Sequence, residues 1–354
     1  MFTTALRRIL IAAVALPLGL FGATLLMQSE AALAAPESLG DTAQVALGKR
    51  LFFDPALSRD GKVSCASCHQ ADLAFTDGKS VSVGFDGKRG QRNAMSLLNV
   101  SNQKHFFWDG RRTRLEDQVI DPLLNPLEHA MADQGQILAV LEASPSYKDA
   151  FRRAFPTSKA DPVQLEQLAS ALASFVRTLV SPESAIDRFL VKKDAAALSP
   201  DARAGFEIFN GKGQCISCHS LKPDVTSNRV LLTDDDFHAH SAAFYAMHQA
   251  LDASAKDVLT RGKPLADVAR DDPQGVDALG RFMVTGKLSD VGAFRTPSLR
   301  NVSRTAPYFH DGRVATLELA VEEELLGHGS EQISMSPEEK RVLLTFLRAL
   351  DDDK

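Results

Sequence analysis

The word Cys65-Ala66-Ser67-Cys68-His69 returns as Cys215-Ile216-Ser217-Cys218-His219, and together the two use all 4 cysteines of the 354-residue chain. Cys-x-x-Cys-His is the attachment signature of a c-type haem. Each thiol adds to one vinyl group of the porphyrin, and the His directly after becomes an axial ligand of the iron. Two residues between the cysteines let both sulfurs reach one edge of the macrocycle. A zinc site built from both cysteine pairs or a dithiol redox pair accounts for the cysteines but not for the His that follows each pair. The chain is therefore expected to carry two covalently bound c-type haems and to fold around them.

Helical patterns dominate the rest. Leu165, Leu168, Leu172, Phe175, Val176 and Leu179 form one apolar stripe at helical spacing, opened by Asp161-Pro162. Ser336-Pro337-Glu338-Glu339 reads as an N-cap, a proline at the first helical position and an acidic first turn, with a helix to about Leu350. Asp41 is a candidate cap for a helix reaching Phe52. Short strand candidates are confined to Val81–Val83 and Arg229–Thr233. The expected fold is mostly α, with long loops wrapped on the haems and little strand.

The chain also repeats itself. Gly48, Leu51 and Phe52 precede the first haem word, as Gly205, Ile208 and Phe209 precede the second, and the words lie 150 residues apart. Farther on, Ser96-Leu97-Leu98-Asn99-Val100-Ser101 matches Ser298-Leu299-Arg300-Asn301-Val302-Ser303, at an offset of 202. Phe107-Trp108-Asp109-Gly110-Arg111 matches Phe309-His310-Asp311-Gly312-Arg313 at the same offset. This predicts an internal duplication into two cytochrome c-like domains, 35–195 and 196–354, joined near 190–199. The second copy has 52 extra residues within 220–295, a stretch that includes His238, His240 and His248. Those histidines read as part of a solvated insertion.

At the N-terminus, Arg7 and Arg8 precede an uncharged run from Ile9 to Ser29, and Ala32-Leu33-Ala34 is an A-x-A cleavage pattern. Residues 1–34 thus read as a signal peptide cleaved near Ala34, with an uncleaved membrane anchor as the alternative. Export to the periplasm suits c-type haem attachment. Removing two Arg and one Glu takes the net charge from -5 to -6. An acidic chain of this kind offers no electrostatic case for nucleic acid.

A catalytic haem leaves one face open, whereas an electron-transfer haem usually takes two protein ligands. Near the first haem the candidates are Met95, which reads better as a core methionine, and His105, which adjoins the Phe106-Phe107-Trp108 corner. The first iron is therefore expected to be open.

Longer words make the resemblance specific. Leu51-Phe52-Phe53-Asp54, Phe107 to Arg111, Leu115-Glu116-Asp117-Gln118, Pro122 to Glu128, Phe294 to Asn301 and Thr305 to Gly312 stand in order across about 45 to 325. In these the chain resembles the bacterial di-haem cytochrome c peroxidase and MauG superfamily. The resemblance implies a peroxidatic N-terminal haem and an electron-transfer C-terminal haem, with Trp108 on the route between them. It implies Gln118 and Glu128 as distal acid-base residues. Glu128 has a second reading, since Asn125-Pro126-Leu127-Glu128 is also a good helix N-terminus. The resemblance further implies one calcium ion held by the Asn93 side chain and the carbonyls of Thr305 and Pro307, oxygen donors of the kind calcium takes.

Two departures stand out. The peroxidases carry a distal His on the loop before Asn93, where this chain has Phe85 in Ser82-Val83-Gly84-Phe85. The distal ligand of the second haem, Met or Tyr in the superfamily, falls on Glu324, with His328 and Met335 as alternatives. The run Glu322-Glu323-Glu324 also reads as a solvated helix face.

The activity implied is reduction of hydrogen peroxide with electrons from a small redox protein, a cytochrome c or a copper protein. Phe85 supports an alternative, a MauG-like enzyme that oxidises residues of a partner protein through a high-valent iron state. A non-enzymatic di-haem electron carrier is the third reading, and the resemblance leaves a homodimer open.

Overall fold

A computed structural model describes residues 42–158, 163–224, 227–239, 277–327 and 333–352 of the protein. All belong to one compact unit, Ser38–Lys354. The expected leader 1–34, the Asp41 cap, the Asp161-Pro162 helix opening, His240, His248 and His328 lie outside the described residues.

The architecture is mostly helical with little strand, around two hydrophobic cores. One runs from Leu47 to Val176 and the other from Ile186 to Leu350. Each core is organised by a pair of crossing helices. The helix Thr42–Phe53 crosses Leu165–Arg177, and Pro200–Asn210 crosses Pro337–Arg348. The expected apolar stripe is the buried face of Leu165–Arg177, where Leu168, Leu172, Phe175 and Val176 point inward. The expected cap at Ser336 is present. Its Oγ accepts from Glu339 N at 3.2 Å, and the Glu339 carboxylate accepts from Ser336 N at 2.7 Å.

Both crossings depend on a glycine. A Cβ on Gly48 would stand 1.8 Å from Ala171 O, and one on Gly205 would stand 2.0 Å from Val342 O. One turn later an aromatic pair closes each contact edge to face, Phe52 on Phe175 at 5.1 Å and Phe209 on Phe346 at 5.2 Å. Backbone carbonyls in a helix cannot retreat as a side chain would. Gly205→Ala should therefore separate the helices and lower stability by about 1–3 kcal/mol. Thermal unfolding followed by circular dichroism checks this; an unchanged Tm would refute the tight crossing.

The two segments related by the 202-residue offset also share backbone shape. Asn99 and Asn301 both have φ near +60°, as do Phe107 and Phe309 at 67° and 68°. Isolated bridges pair Phe106 with Arg112 and Tyr308 with Val314.

Strand lies elsewhere than expected. Val83 and Val230 make only single bridges, to Arg89 and Pro223. The one two-stranded sheet among the described residues pairs Phe237–Ala239 with Ala293–Arg295, antiparallel. The partners are more than 50 positions apart in sequence, so local pattern carried no signal for them. Nor does a helix begin at Pro126. Residues 126–129 form a turn, with Leu127 N bonded to Asn125 Oδ1 at 3.0 Å.

The described part of the 220–295 insertion is a clamp rather than a solvated excursion. Arg281 Nη1 donates to the carbonyls of Asp109 and Gly110 at 2.9 and 2.7 Å, and Arg92 Nε donates to Asp277 Oδ1 at 2.5 Å. A second tie is the buried Arg300, whose Nη1 reaches both Asp187 oxygens at 3.1 and 2.9 Å.

Candidate haem-binding redox site

Cys65–Cys68 is a single helical turn capped by Ser64, and His69 follows at its C-terminus. The turn places both sulfurs on one side of the chain. His69 Nδ1 meets Phe75 O at 2.9 Å. At the second word, Cys215–Ser217 is a 3-10 turn and His219 Nδ1 meets Leu232 O at 2.9 Å. A carbonyl that holds Nδ1–H sets the tautomer and turns Nε2 toward a metal, the arrangement usual for iron- and zinc-bound histidines. Burial pushes the thiols of Cys65 and Cys215 up to about 12, away from the thiolate form that binds metals. The donor set at both words thus fits a covalently attached haem.

Glu128 stands at the first word. Burial raises its proton affinity above the ordinary carboxylate value, opposed by a hydrogen bond from Asn125 and by the charge of Arg111. Asn125 Nδ2 donates to Glu128 Oε1 at 2.5 Å. The Glu128 charge in turn reaches Cys65 and Cys68. The turn is held by the loop that carries Phe85. Phe85 N donates to Glu128 O at 2.7 Å, and a Cβ on Gly84 would lie 2.2 Å from Leu127 O. The Phe85 ring sits between the Arg59 and Lys88 cations, 5.6 and 5.4 Å from its centroid. Gln118 closes the short helix Leu115–Gln118.

A second group of residues shares a cavity of about 380 Å³, lined by His219, Trp108, Asn93, Thr305, Pro307 and Glu324 among others. The structure therefore brings the tryptophan expected on the electron route, the calcium candidates and one distal-ligand candidate to the wall that holds the second haem word. Trp108 is buried, and its Nε1 donates to Asn93 O at 3.0 Å. Glu324 does not share the solvated role of its neighbours. Glu322 and Glu323 pair with Lys340 and Arg313, while the Glu324 charge raises both Cys215 and Cys218. Met335 packs against Gly213 instead and is not part of the cavity wall.

Met95 departs from its reading as a core methionine, whereas His105 keeps its packed place at the Trp108 corner. Met95 lines the same cavity and accepts from Arg295 Nη2 at 3.5 Å. His105 packs edge-on against Phe237 at 5.1 Å, and its buried Nδ1 meets no partner among the described residues. Sequence reasoning passed over Arg295. It is 2% exposed, paired with Asp235 at 3.1 Å, and its backbone N holds Trp108 O at 2.8 Å. A lone arginine inside an apolar word was the available signal.

The di-haem cytochrome c peroxidase family model matches residues 42–195. The chain is 34% identical over 309 residues to cytochrome c551 peroxidase of Nitrosomonas europaea, covering 87% of this chain and 80% of that protein. It is 36% identical over 316 residues to methylamine utilization protein MauG of Methylorubrum extorquens, covering 87% and 78%. Among solved structures, a MauG-like protein associated with microbial copper homeostasis superposes with a TM-score of 0.69 at 28% identity, covering 89% of this chain and 91% of that one. With the two Cys-x-x-Cys-His turns in place and relatives of this likeness along most of its length, the chain belongs to the di-haem cytochrome c peroxidase family.

Proposed function

We propose that the protein is a periplasmic peroxidase with two covalently attached c-type haems, which reduces hydrogen peroxide with electrons from a small redox protein. The observation that carries this reading is Glu128, a carboxyl held by Asn125 and Phe85 so that its charge is felt at both cysteines of the first haem word, with its proton affinity raised by burial. Each peroxide takes two electrons and two protons and yields two waters. Bound haem supplies the iron at which the O–O bond breaks and a store for the electrons. The chain supplies the rest. A carboxyl with raised affinity takes a proton from one peroxide oxygen and returns it to the other. Asn125 fixes Oε1, and the Gly84–Phe85 backbone fixes the turn. Gln118 is assigned as the second polar group over the site.

The tryptophan Trp108 is assigned to the electron route between the haems. Asn93, Thr305 and Pro307 fit a calcium ion in their donor chemistry. Glu324 would offer the second haem an oxygen donor, which favours ferric iron. The matching backbone shapes at offset 202 and the repeated glycine crossings support an internal duplication into domains 35–195 and 196–354. No helix of the described residues is long and apolar enough to cross a membrane. Export rests on the leader sequence.

A second reading, oxidation of a partner protein, is favoured by Phe85, which puts an apolar ring where the resemblance implies a distal His, on the loop held against Glu128. Low-temperature EPR of the resting ferric protein should show one high-spin and one low-spin haem, and reduced donor protein should be oxidised on adding peroxide. Two low-spin signals would remove the open site. The expected EPR pattern without donor oxidation would favour the second reading.

A further inference from the structure

The two haem words share a feature that neither motif contains. Asp77 stands two residues past Phe75, whose carbonyl holds His69, and Asp234 stands two residues past Leu232, whose carbonyl holds His219. The two are 157 positions apart, the offset that also separates Gly48 from Gly205. Backbone bonds bring each aspartate back to its word. Gln70 N donates to Thr76 O at 2.9 Å, and Asp234 N donates to Cys218 O at 2.9 Å. Both charges are felt there. After burial, Asp77 helps to raise the Cys68 thiol, and Asp234 helps to raise that of Cys218. At His69, burial lowers the proton affinity, while the Phe75 carbonyl and the Asp77 charge oppose it.

Their surroundings differ. Asp77 is 5% exposed; Oδ1 accepts from Lys79 N at 3.0 Å, and Oδ2 is buried with no partner among the described residues. Asp234 is only half-buried, and its Oδ2 meets His238 Nε2 at 2.7 Å. Oδ1 also accepts from Asp236 N at 3.0 Å. An anion near a haem favours the more positive, ferric state. It acts more strongly when buried away from water and uncompensated.

We infer that Asp77 and Asp234 are paired charge-setting residues, one beside each haem word, and that the deeper burial and unpartnered oxygen of Asp77 make it lower the potential of the first haem more than Asp234 lowers that of the second. The inference rests on the two Cys-x-x-Cys-His words holding the haems, but not on peroxide being the substrate.

Redox titration of the holoprotein, without peroxide or donor, tests it. Visible absorbance follows the titration, and the loss of the high-spin and low-spin EPR signals assigns the two haems. Asp77→Asn should shift the reduction equilibrium of the first haem at least tenfold toward the ferrous state, about 59 mV for one electron. Asp234→Asn should shift the second haem less. His238→Ala removes the hydrogen bond at Asp234 Oδ2 and should lower the second potential. A shift below twofold in Asp77→Asn with both haems bound overturns the inference. So does an equal or larger shift in Asp234→Asn. If Asp77→Asn does not assemble, the half-exposed His238→Ala decides, and an unmoved second potential overturns the inference. Because the titration involves no turnover, these shifts in a protein that fails to reduce peroxide would refute the proposed substrate alone.

Discussion

Replacing Glu128 with Gln is expected to lower kcat/KM for hydrogen peroxide by about 10²- to 10⁴-fold, the usual contribution of a positioned acid-base group. Gln keeps the size of the side chain and can still meet Asn125, but it cannot carry the proton. Haem content and the resting EPR spectrum should not change. In the unsubstituted enzyme the carboxylate form must receive the proton, so kcat/KM should rise as pH rises through the displaced value of Glu128, above the ordinary carboxylate range.

The stability of this variant runs the opposite way to its activity. A carboxyl whose folded proton affinity is raised contributes stability below its unfolded pKa and loses that contribution as pH rises through the folded value. Above that value, Glu128 is a desolvated charge that the fold tolerates. Glu128→Gln should be as stable as the parent or more so, which separates lost chemistry from lost structure. Steady-state peroxide kinetics with a reduced donor, alongside denaturant titration, provide both readings. Activity within fivefold of the parent would remove Glu128 from the proton path.

Replacing Arg300 with Met should cost about 3–5 kcal/mol, the expected penalty for leaving a buried partner charge uncompensated. Arg300 and Asp187 are each about 1% exposed at the side chain, and the pair is tied further by Arg300 Nε to Ser181 Oγ at 2.7 Å and Nη2 to Pro182 O at 2.8 Å. These contacts join the end of the first core to the second, so the loss should be felt by the whole unit. Asp187 is held below its usual pKa. Burial raises it, but hydrogen bonds from Ser184 and Val230 and the Arg300 charge together prevail.

A depressed carboxylate contributes stability above its unfolded value, about 3.9, and loses it as pH falls through the folded value. The acid-unfolding midpoint of Arg300→Met should accordingly move to higher pH. Arg300→Lys retains the charge but not the fork, and should fall between the two. Urea denaturation followed by circular dichroism measures all three proteins; a midpoint unchanged in Arg300→Met would show that Asp187 is satisfied without it.

Much of this was legible because haem attachment is local chemistry. Two thiols and a histidine at fixed spacing require nothing from the rest of the chain, and both words form their turns as read. The Ser336 cap and the Leu165–Arg177 stripe are likewise decided within one or two turns of helix. The 202-residue offset was visible in residue identity alone. What did not show was any contact between distant segments. The strand pair Phe237–Ala239 with Ala293–Arg295, the clamp of Arg281 on the Trp108 loop and the seat of Arg295 behind Trp108 each join residues with no local periodicity.

Glu128 and Glu324 mark the boundary most clearly. By sequence each had two readings, a helix terminus or acid-base residue for one and a solvated face or haem neighbour for the other. In the structure, the turn at Asn125–Glu128 replaces the expected helix start. Glu324 turns to the cavity while Glu322 and Glu323 take surface cations. Sequence alone determined the two haem words and where the main helices run, because those depend on bonded neighbours and short-range spacing. Only the tertiary structure decided which carboxylates are buried beside the haem words and which are neutralised, because burial and charge compensation depend on what the rest of the chain packs against them.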